Sequence, residues 1–279
     1  MIPKFHLDWL KWGNTLTLLG MRGSGKTTFM LELIQHFDAD LNLLFAGSDG
    51  SYDEFCQVSS PLFVFDAFTN VAIVDKVLGD LMTLVKEKNL QRPAKILVLL
   101  DDLGMEDAIM KNKILLSLYS RGRHLNKVNG KRMGITVIIA IQEAKMIGPK
   151  MRGNTDFLMC HMLPNIESIR KVHKEYTNIP EFAVFNKIYD DLNDQKEFAI
   201  LVVNNQASAR KKGQKLSWHV ATPVTRRTHI GSHDVNDLTD RVYDPSFTRE
   251  VSLPPPVTAP KSRSRKATAA TEKTVFGEE

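Results

Sequence analysis

The chain has 279 residues, of which 43% are hydrophobic, and it carries a formal net charge of +5. This composition excludes disorder along the whole length, and the length favours one large α/β core with appendages. The longest apolar run, Ile135 to Ile141, is far too short to span a bilayer, and the N-terminus lacks the features of a signal peptide. Cys56 and Cys160 lie far apart in sequence and are interpreted as buried thiols. We expect a soluble intracellular protein.

Strands and helices are predicted to alternate along most of the chain. In the first half, strands are predicted at 15–19, 41–46, 62–65 and 96–100, and helices at 26–37 and 71–85. In the second half, helices are predicted at 107–119, 166–176 and 181–189, and strands at 135–141, 157–163 and 198–203. Continuous apolar strands that alternate with helices are typical of a mostly parallel sheet with helices on both faces.

The segment GMRGSGKTT, residues 20–28, lies between the first predicted strand and the first predicted helix. Gly20 and Gly25 are separated by four residues and followed by Lys26 and Thr27, which matches the P-loop pattern in full. Glycines let successive backbone N–H groups point at phosphate oxygens, and the helix that opens at Lys26 adds the positive end of its dipole. Lys26 is expected to reach the β- and γ-phosphates of ATP, and the Thr27 hydroxyl to bind Mg²⁺. The predicted ATP-binding residues are Gly20, Arg22, Gly23, Ser24, Gly25, Lys26, Thr27 and Thr28.

A pair of carboxylates, Asp101 and Asp102, follows the apolar strand at 96–100. Hydrolysis of Mg·ATP needs an acidic group near the metal and a group that orients water. Asp101 is therefore predicted to hold a metal-bound water and Asp102 to polarise the attacking water. Without a P-loop in the same chain, two acidic residues at a strand end would be better explained as the start of a turn. The catalytic interpretation of Asp101 and Asp102 therefore depends on the P-loop.

Gln142 follows the apolar strand at 135–141. If that strand lies beside the one ending at Asp101, the amide can contact both the γ-phosphate and the attacking water, and so report which nucleotide is bound. The alternative is an exposed loop glutamine.

Five motifs in a fixed order resemble those of viral genome-packaging ATPases of the poxvirus type, within the FtsK–HerA superfamily of DNA-pumping motors. They are GMRGSGKT, LVLLDD, SRGRH, ITVIIAIQ and PKMRGNTDFLM, and the resemblance covers roughly residues 16–203. The GRH triplet and the R-x-N-x-D stretch discriminate this family from other P-loop proteins. Many members of the superfamily have Asp-Glu where this chain has Asp101-Asp102, which makes Glu143 a distant alternative to Asp102.

The resemblance implies an additional-strand RecA-like fold, a ring of identical subunits, and a capsid or portal partner. It implies ATP-driven movement of double-stranded viral DNA into a preformed capsid, in the virion or the host cytoplasm. The ATPase domain is predicted to span residues 1–250, and the Pro-, Ser- and Lys-rich stretch 251–279 to be a disordered tail.

A ring motor needs a cation delivered across a subunit boundary. Arg123 of the GRH triplet is the first choice and Arg152 the second, because a guanidinium can neutralise charge that grows on the γ-phosphate. The alternative is that each arginine pairs with a local carboxylate or contacts DNA. His124 is expected to be structural.

Two stretches, 108–142 and 198–233, contain basic residues and no acidic residue. Two such stretches in one ATPase favour a nucleic-acid partner, although solvated helix faces and loops explain either stretch alone. DNA contact is predicted for Lys127, Lys131 and Arg132, in a glycine-containing loop before the strand at 135–141. It is also predicted for Arg210, Lys211 and Lys212, where a solvated hairpin is an equal alternative.

Within the motor class, a cellular or plasmid translocase of the same superfamily is the nearest alternative, but no membrane anchor or large accessory domain is evident. Two other function classes are also compatible with a P-loop. A small-molecule kinase would need a substrate-binding insertion and an arginine-bearing lid, and neither is evident. A nucleotide switch or scaffold would bind ATP with little turnover.

Overall fold

An eight-stranded sheet is the centre of the computed structural model, which describes residues 2–86, 93–102, 109, 111–177, 179–206 and 215–224. The strands of the described chain are β1 (Thr15–Leu19), β2 (Leu41–Ala46), β3 (Val64–Asp66), β4 (Ile96–Leu100), β5 (Lys127–Val128), β6 (Lys131–Arg132), β7 (Ile135–Ile141), β8 (Phe157–Cys160), β9 (Ala199–Asn204) and β10 (Leu216–Val220). All except β5 and β6 belong to the large sheet, and those two form a separate hairpin.

The order of strands across the sheet is β10-β9-β8-β1-β7-β4-β2-β3. The strands from β8 to β3 are parallel, and β9 and β10 complete one edge in antiparallel pairing. β7 lies between β1, which leads into the P-loop, and β4, which leads into the aspartate pair. This inserted strand is the additional strand that the family resemblance implies, so the predicted fold class is confirmed.

Helices cover both faces of the sheet. They are α1 (Lys26–Phe37), α2 (Asp49–Val58), α3 (Ala72–Lys86), α4 (Lys113–Arg121), α5 (Pro149–Arg152), α6 (Ile166–Tyr176) and α7 (Phe182–Gln195). The apolar residues of α1 and α2 form a core on one face, and those of α3, α4, α6 and α7 form a core on the other. Every residue of β4 and β7 is buried, because both faces of these strands are covered.

Most predicted elements appear within a residue or two of their expected bounds, and the differences have local causes. The predicted strand at 62–65 is instead a short 3-10 turn, Pro61–Phe63, followed by β3. The helix predicted at 107–119 is described from Lys113, where the Asn112 side chain caps it by accepting hydrogen bonds from the N–H groups of Ile114 and Leu115. The strand predicted at 157–163 ends at Cys160, and the helix predicted at 181–189 continues to Gln195.

Sequence analysis missed helix α2, strand β10, the short hairpin of β5 and β6, and the one-turn helix α5. The predicted tail at 251–279 lies outside the described residues, and so do Arg210, Lys211 and Lys212. Within the described part of the chain, no helix is both long enough and apolar enough to cross a membrane.

The backbone of the GRH triplet packs closely against the start of β7. This contact predicts that alanine is tolerated less well at Gly122 than at Gly148. A side-chain carbon at Gly122 would lie 2.9 Å from the carbonyl oxygen of Ile135, whereas one at Gly148 would meet nothing within 4 Å. We expect Gly122→Ala to lower the free energy of unfolding by about 1–3 kcal/mol, because backbone atoms must move to make room. Gly148→Ala is the matched control. Urea unfolding checks both variants, and equal stability of the two would contradict this packing.

Candidate nucleotide-binding site

The carboxyl ends of β1, β4 and β7 meet at one edge of the sheet and open into a cavity of about 550 Å³. The residues that line this nucleotide cavity are Arg22, Gly23, Gly25, Lys26, Thr27, Thr28, Gly47, Ser48, Glu54, Asp101, Asp102, Gln142 and Phe198. The structure therefore brings most of the predicted P-loop residues together with the aspartate pair and Gln142. Arg123 and Arg152 are not among the lining residues.

The P-loop backbone is shaped by two glycines in left-handed conformations, with φ of 75° at Gly23 and 84° at Gly25. Gly25 is the N-cap of α1 and provides no side-chain hydrogen bond, whereas the N-caps Ser48 of α2 and Asn165 of α6 each accept one from their own first turn. The first N–H groups of α1 are therefore open to a ligand at the cavity. This is the arrangement that a phosphate group needs.

Lys26 is the buried cation of the cavity, with 8% of the residue exposed. Its ammonium group donates hydrogen bonds to the carbonyl oxygens of Gly20, at 2.7 Å, and Met21, at 2.9 Å. Burial lowers the pKa of Lys26, and the nearby carboxylates of Asp102 and Asp101 oppose that shift. The ammonium group is thus held inside the loop whose backbone would surround the phosphates.

Asp101 is the buried carboxylate, with 5% of the residue exposed. Burial raises its pKa to about 6, and a hydrogen bond from the Ser51 hydroxyl opposes the shift. The backbone around it is tightly packed, because a side-chain carbon at Gly47 would lie 2.2 Å from the carbonyl oxygen of Asp101. Ser51 therefore holds this carboxylate and Gly47 packs against its backbone, and sequence analysis identified neither residue.

Asp102 is held from two directions at the end of β4. Its backbone has a φ of 49°, a conformation that aspartate tolerates better than most residues. Its N–H donates to the carbonyl oxygen of Ala140 at 3.1 Å, and its Oδ2 accepts from Gln142 Nε2 at 2.6 Å. Gln142 is thus a partner of Asp102 and not a free loop side chain.

The residues of the cavity fit Mg²⁺ as well as phosphate. Mg²⁺ is usually bound by one or two protein carboxylates or hydroxyls together with substrate phosphates and water. Thr27 and Asp101 line the same cavity and offer one hydroxyl and one carboxylate. When bound, Mg²⁺ would neutralise negative charge on the phosphates.

Glu54 is a third acidic residue in the cavity that sequence analysis missed. It lies on α2, and burial raises the pKa of its carboxyl. The residue proposed from sequence as a distant alternative, Glu143, instead pairs with Lys145 at 2.5 Å and does not line the cavity. Helix α2 is too polar to show a clear apolar period in the sequence, which explains why Ser51 and Glu54 were not found.

Arg123 and Arg152 lie away from the cavity and differ in how firmly they are paired. The Arg123 side chain is 46% exposed and forms a long ion pair with Asp156, at 3.9 Å. Arg152 is 24% exposed, lies 3.3 Å from Glu175, and donates to the carbonyl oxygen of Ile147 at 2.7 Å. Arg123 is therefore the freer guanidinium of the two.

The predicted DNA-contacting loop is a short β-hairpin. Asn129 and Gly130 form its turn, both with positive φ, as the tightest hairpin turns require. Lys127, Lys131 and Arg132 are exposed on it. The hairpin precedes β7, so it lies at the amino edge of the sheet, and the seven residues of β7 separate it from Gln142 by about 20 Å.

These features define a P-loop ATPase with an additional strand between the P-loop strand and the aspartate strand. The family model described as Poxvirus A32 protein matches residues 5–204, and the chain belongs to this family. This match confirms the predicted resemblance, and the class of the protein is that of the viral genome-packaging ATPases.

The chain is also similar to two viral proteins and to a solved structure. Uncharacterized protein 075L of Invertebrate iridescent virus 6 is 22% identical over 244 residues, which cover 85% of this chain and 89% of that protein. Uncharacterized protein 088R of Invertebrate iridescent virus 3 is 22% identical over 206 residues, which cover 73% and 74% of the two chains. The genome packaging NTPase B204 of Sulfolobus turreted icosahedral virus 2, solved with ATP-γS, matches at a TM-score of 0.51 and 12% identity over 76% of this chain and 98% of that chain. At this identity the structural likeness shows the fold alone.

His161 lies directly beneath the P-loop, and its burial predicts a pH effect on stability. Its Nδ1 donates to the carbonyl oxygen of Ser24 at 3.0 Å, and a side-chain carbon at Gly20 would lie 2.6 Å from its Cβ. Burial lowers the pKa of His161 to about 4, with nearby Lys26 and His219 adding to the shift. The imidazole is therefore neutral in the folded protein at pH 7.

The unfolded chain binds a proton at His161 near pH 6.5, whereas the folded chain does so only near pH 4. This site therefore costs stability as the pH falls through that window, by at most about 1.4 kcal/mol per pH unit. We expect the melting temperature of His161→Gln to fall less steeply between pH 6.5 and 4 than that of the unaltered protein, because glutamine keeps a donor but does not titrate. Parallel melting curves for the two proteins would show that this histidine is not held neutral.

Proposed function

We propose that this protein is an ATP-driven motor that moves double-stranded DNA into a preformed viral capsid as a ring of identical subunits. The observation that carries the proposal is the single cavity that joins a P-loop, an aspartate pair and a glutamine from the inserted strand in a member of the A32 family. The B204 protein named above is a genome packaging NTPase, which supports the same function here. The protein would act in the virion or in the host cytoplasm.

Within the cavity, each residue has a role that follows from its contacts. The open N–H groups of α1 and the Lys26 ammonium would hold the triphosphate, and Thr27 and Asp101 would hold Mg²⁺. Asp102 would orient the attacking water with the oxygen that Gln142 does not occupy. Loss of the γ-phosphate would then affect the position of β7 through the hydrogen bond between Gln142 and Asp102.

The amino edge of the sheet supplies the features expected of DNA contact. The basic hairpin presents three cations with no acidic residue nearby in sequence, which suits contact with phosphates of any base sequence. Arg123 lies at the same edge, so it would reach a nucleotide only in a neighbouring subunit. Its long ion pair and its exposure leave the guanidinium available for that role.

Asp102 and Glu54 lie in the same cavity and provide a matched pair of variants. If Asp102 orients water, Asp102→Asn should bind ATP normally but hydrolyse it at least about a hundredfold more slowly. Glu54→Gln should retain most of the turnover, and Lys26→Ala should lose both binding and turnover. Steady-state hydrolysis and ATP titration check all three. A large loss in Glu54→Gln with near-normal turnover in Asp102→Asn would move the water-activating role to Glu54.

Duplex DNA should raise the rate of ATP hydrolysis, and the gain should fall steeply with salt because bound cations displace counterions from DNA. Reversing the charges of Lys127, Lys131 and Arg132 should weaken DNA binding for all sequences alike and flatten the salt dependence. Reversing Lys171, Lys174 and Lys187 on α6 and α7 is the control and should change little. DNA titrations at several salt concentrations check this. An unchanged salt dependence in the hairpin variant would contradict DNA contact by the hairpin. A rate of hydrolysis that duplex DNA does not change would contradict a DNA motor.

Arg123 should act on the nucleotide of a neighbouring subunit. Removing it should cost roughly a thousandfold in turnover, about 4 kcal/mol of transition-state stabilisation, and leave ATP binding nearly intact. Arg152→Ala should instead lower stability, because it removes the partner of Glu175.

Mixing two inactive variants tests this role for Arg123. In a mixture of Arg123→Ala and Lys26→Ala, some interfaces join an intact P-loop to an intact arginine, so hydrolysis should partly return. Mixed assembly must be shown independently. No recovery in assembled mixtures would exclude a role for Arg123 across the interface.

A further inference from the structure

Phe198 stands apart from the other residues of the nucleotide cavity. It lies directly before β9, and it is the only aromatic residue among those described as lining the cavity. Five large apolar residues of the described chain are exposed, namely Met21, Met162, Ile166, Val184 and Phe198, and Phe198 is the most exposed of them at 53%. Of these five, Phe198 alone lines the cavity. A large apolar ring is thus presented to a cavity whose other side chains are polar.

The backbone of Phe198 is in a conformation that hydrophobic burial does not explain. Its φ is 54°, in the left-handed region that bulky residues rarely adopt. Glycine or asparagine would adopt this backbone more readily, and the exposed ring gains little from burial. An unfavourable backbone that persists at the wall of a binding cavity points to a role in binding.

The ring lies against the end of the P-loop. A side-chain carbon at Gly25 would be 3.3–3.5 Å from Phe198, the nearest of its atoms being Cδ1. Gly25 is the N-cap of α1, immediately before Lys26 and Thr27. In the adjoining strand, Ile200 and Val202 pack in the same core as Phe29 and Met30 of α1. The ring therefore lies beside the phosphate-binding backbone, and more than half of the residue is exposed.

We propose that Phe198 is the platform on which the base of the bound nucleotide stacks, an inference that rests on the proposed ATP-binding function. The polar residues of the cavity provide for the phosphates, the metal and the water, and Phe198 provides the apolar surface that a base requires. An aromatic face stabilises a base by stacking and does not read its hydrogen-bonding edge. The site should therefore prefer purines to pyrimidines by ring area and discriminate weakly between adenine and guanine.

The test compares ligands with and without a base. The affinities of the full chain for Mg·ATP and for inorganic tripolyphosphate with Mg²⁺ are measured by calorimetry in the unaltered protein and in Phe198→Ala. We expect Phe198→Ala to weaken ATP binding by about 5- to 150-fold, the range for loss of one base–aromatic stack, and to leave tripolyphosphate binding unchanged. Phe198→Trp should keep the affinity for ATP. Val184→Ala, at a half-exposed apolar residue outside the cavity, is the matched control and should change neither ligand.

Several outcomes would contradict the proposal that the base stacks on Phe198. Phe198→Ala could leave ATP binding unchanged, or it could weaken ATP and tripolyphosphate equally, which would indicate that the ring only supports the P-loop. A variant that assembles less well but binds ATP with normal affinity would identify Phe198 as a contact between subunits. If the unaltered protein bound neither ATP nor tripolyphosphate, the proposed function itself would fail. Loss of both ligands in Lys26→Ala, with loss of ATP alone in Phe198→Ala, would support both proposals separately.

Discussion

The insertion of β7 between β1 and β4 is the constraint on which the nucleotide site depends. The end of β7 holds both of its neighbours, because the carbonyl oxygen of Ile141 accepts from the N–H of Gly20 and that of Ala140 accepts from the N–H of Asp102. The next residue, Gln142, donates its side-chain amide to Asp102. The end of this one strand thus fixes the start of the P-loop, Asp102 and Gln142. Any movement of β7 would change all three contacts together.

The sheet separates two kinds of chemistry. Its carboxyl edge presents the nucleotide cavity, and its amino edge presents the basic hairpin and Arg123, with β7 running from one edge to the other. Strand β7 connects the two edges, since it begins beside the hairpin and ends at Gln142, so it offers a route by which the state of the nucleotide could reach the edge that carries the basic hairpin. The same separation means that Arg123 and the P-loop of one subunit do not meet, so a ring would be needed to bring an arginine to each site.

The sequence was sufficient to predict the site residues where a motif of fixed spacing followed a strongly apolar strand. The ranges of β1, α1, β4 and β7 follow from apolar periodicity, and parallel strands bring their carboxyl ends together, so the meeting of Lys26, Asp101 and Gln142 could be predicted. Ser51 and Glu54 could not, because α2 is polar and short and its approach to Asp101 depends on the close contact at Gly47. Phe198 was missed because sequence analysis placed it in the strand predicted at 198–203, where an aromatic residue normally indicates core. In the structure it lies just before β9 with a left-handed backbone, and it lines the cavity.

Movement of the motor along duplex DNA tests the central claim most directly. A duplex that carries a third strand, bound as a short triplex, is mixed with the assembled protein, and release of the third strand is followed by fluorescence. The account predicts release that requires ATP, does not occur with ATP-γS, and is abolished in Lys26→Ala. Hydrolysis of ATP that is stimulated by duplex DNA, but without any release of the third strand by the assembled protein, would contradict the claim that this ATPase is a DNA-translocating motor.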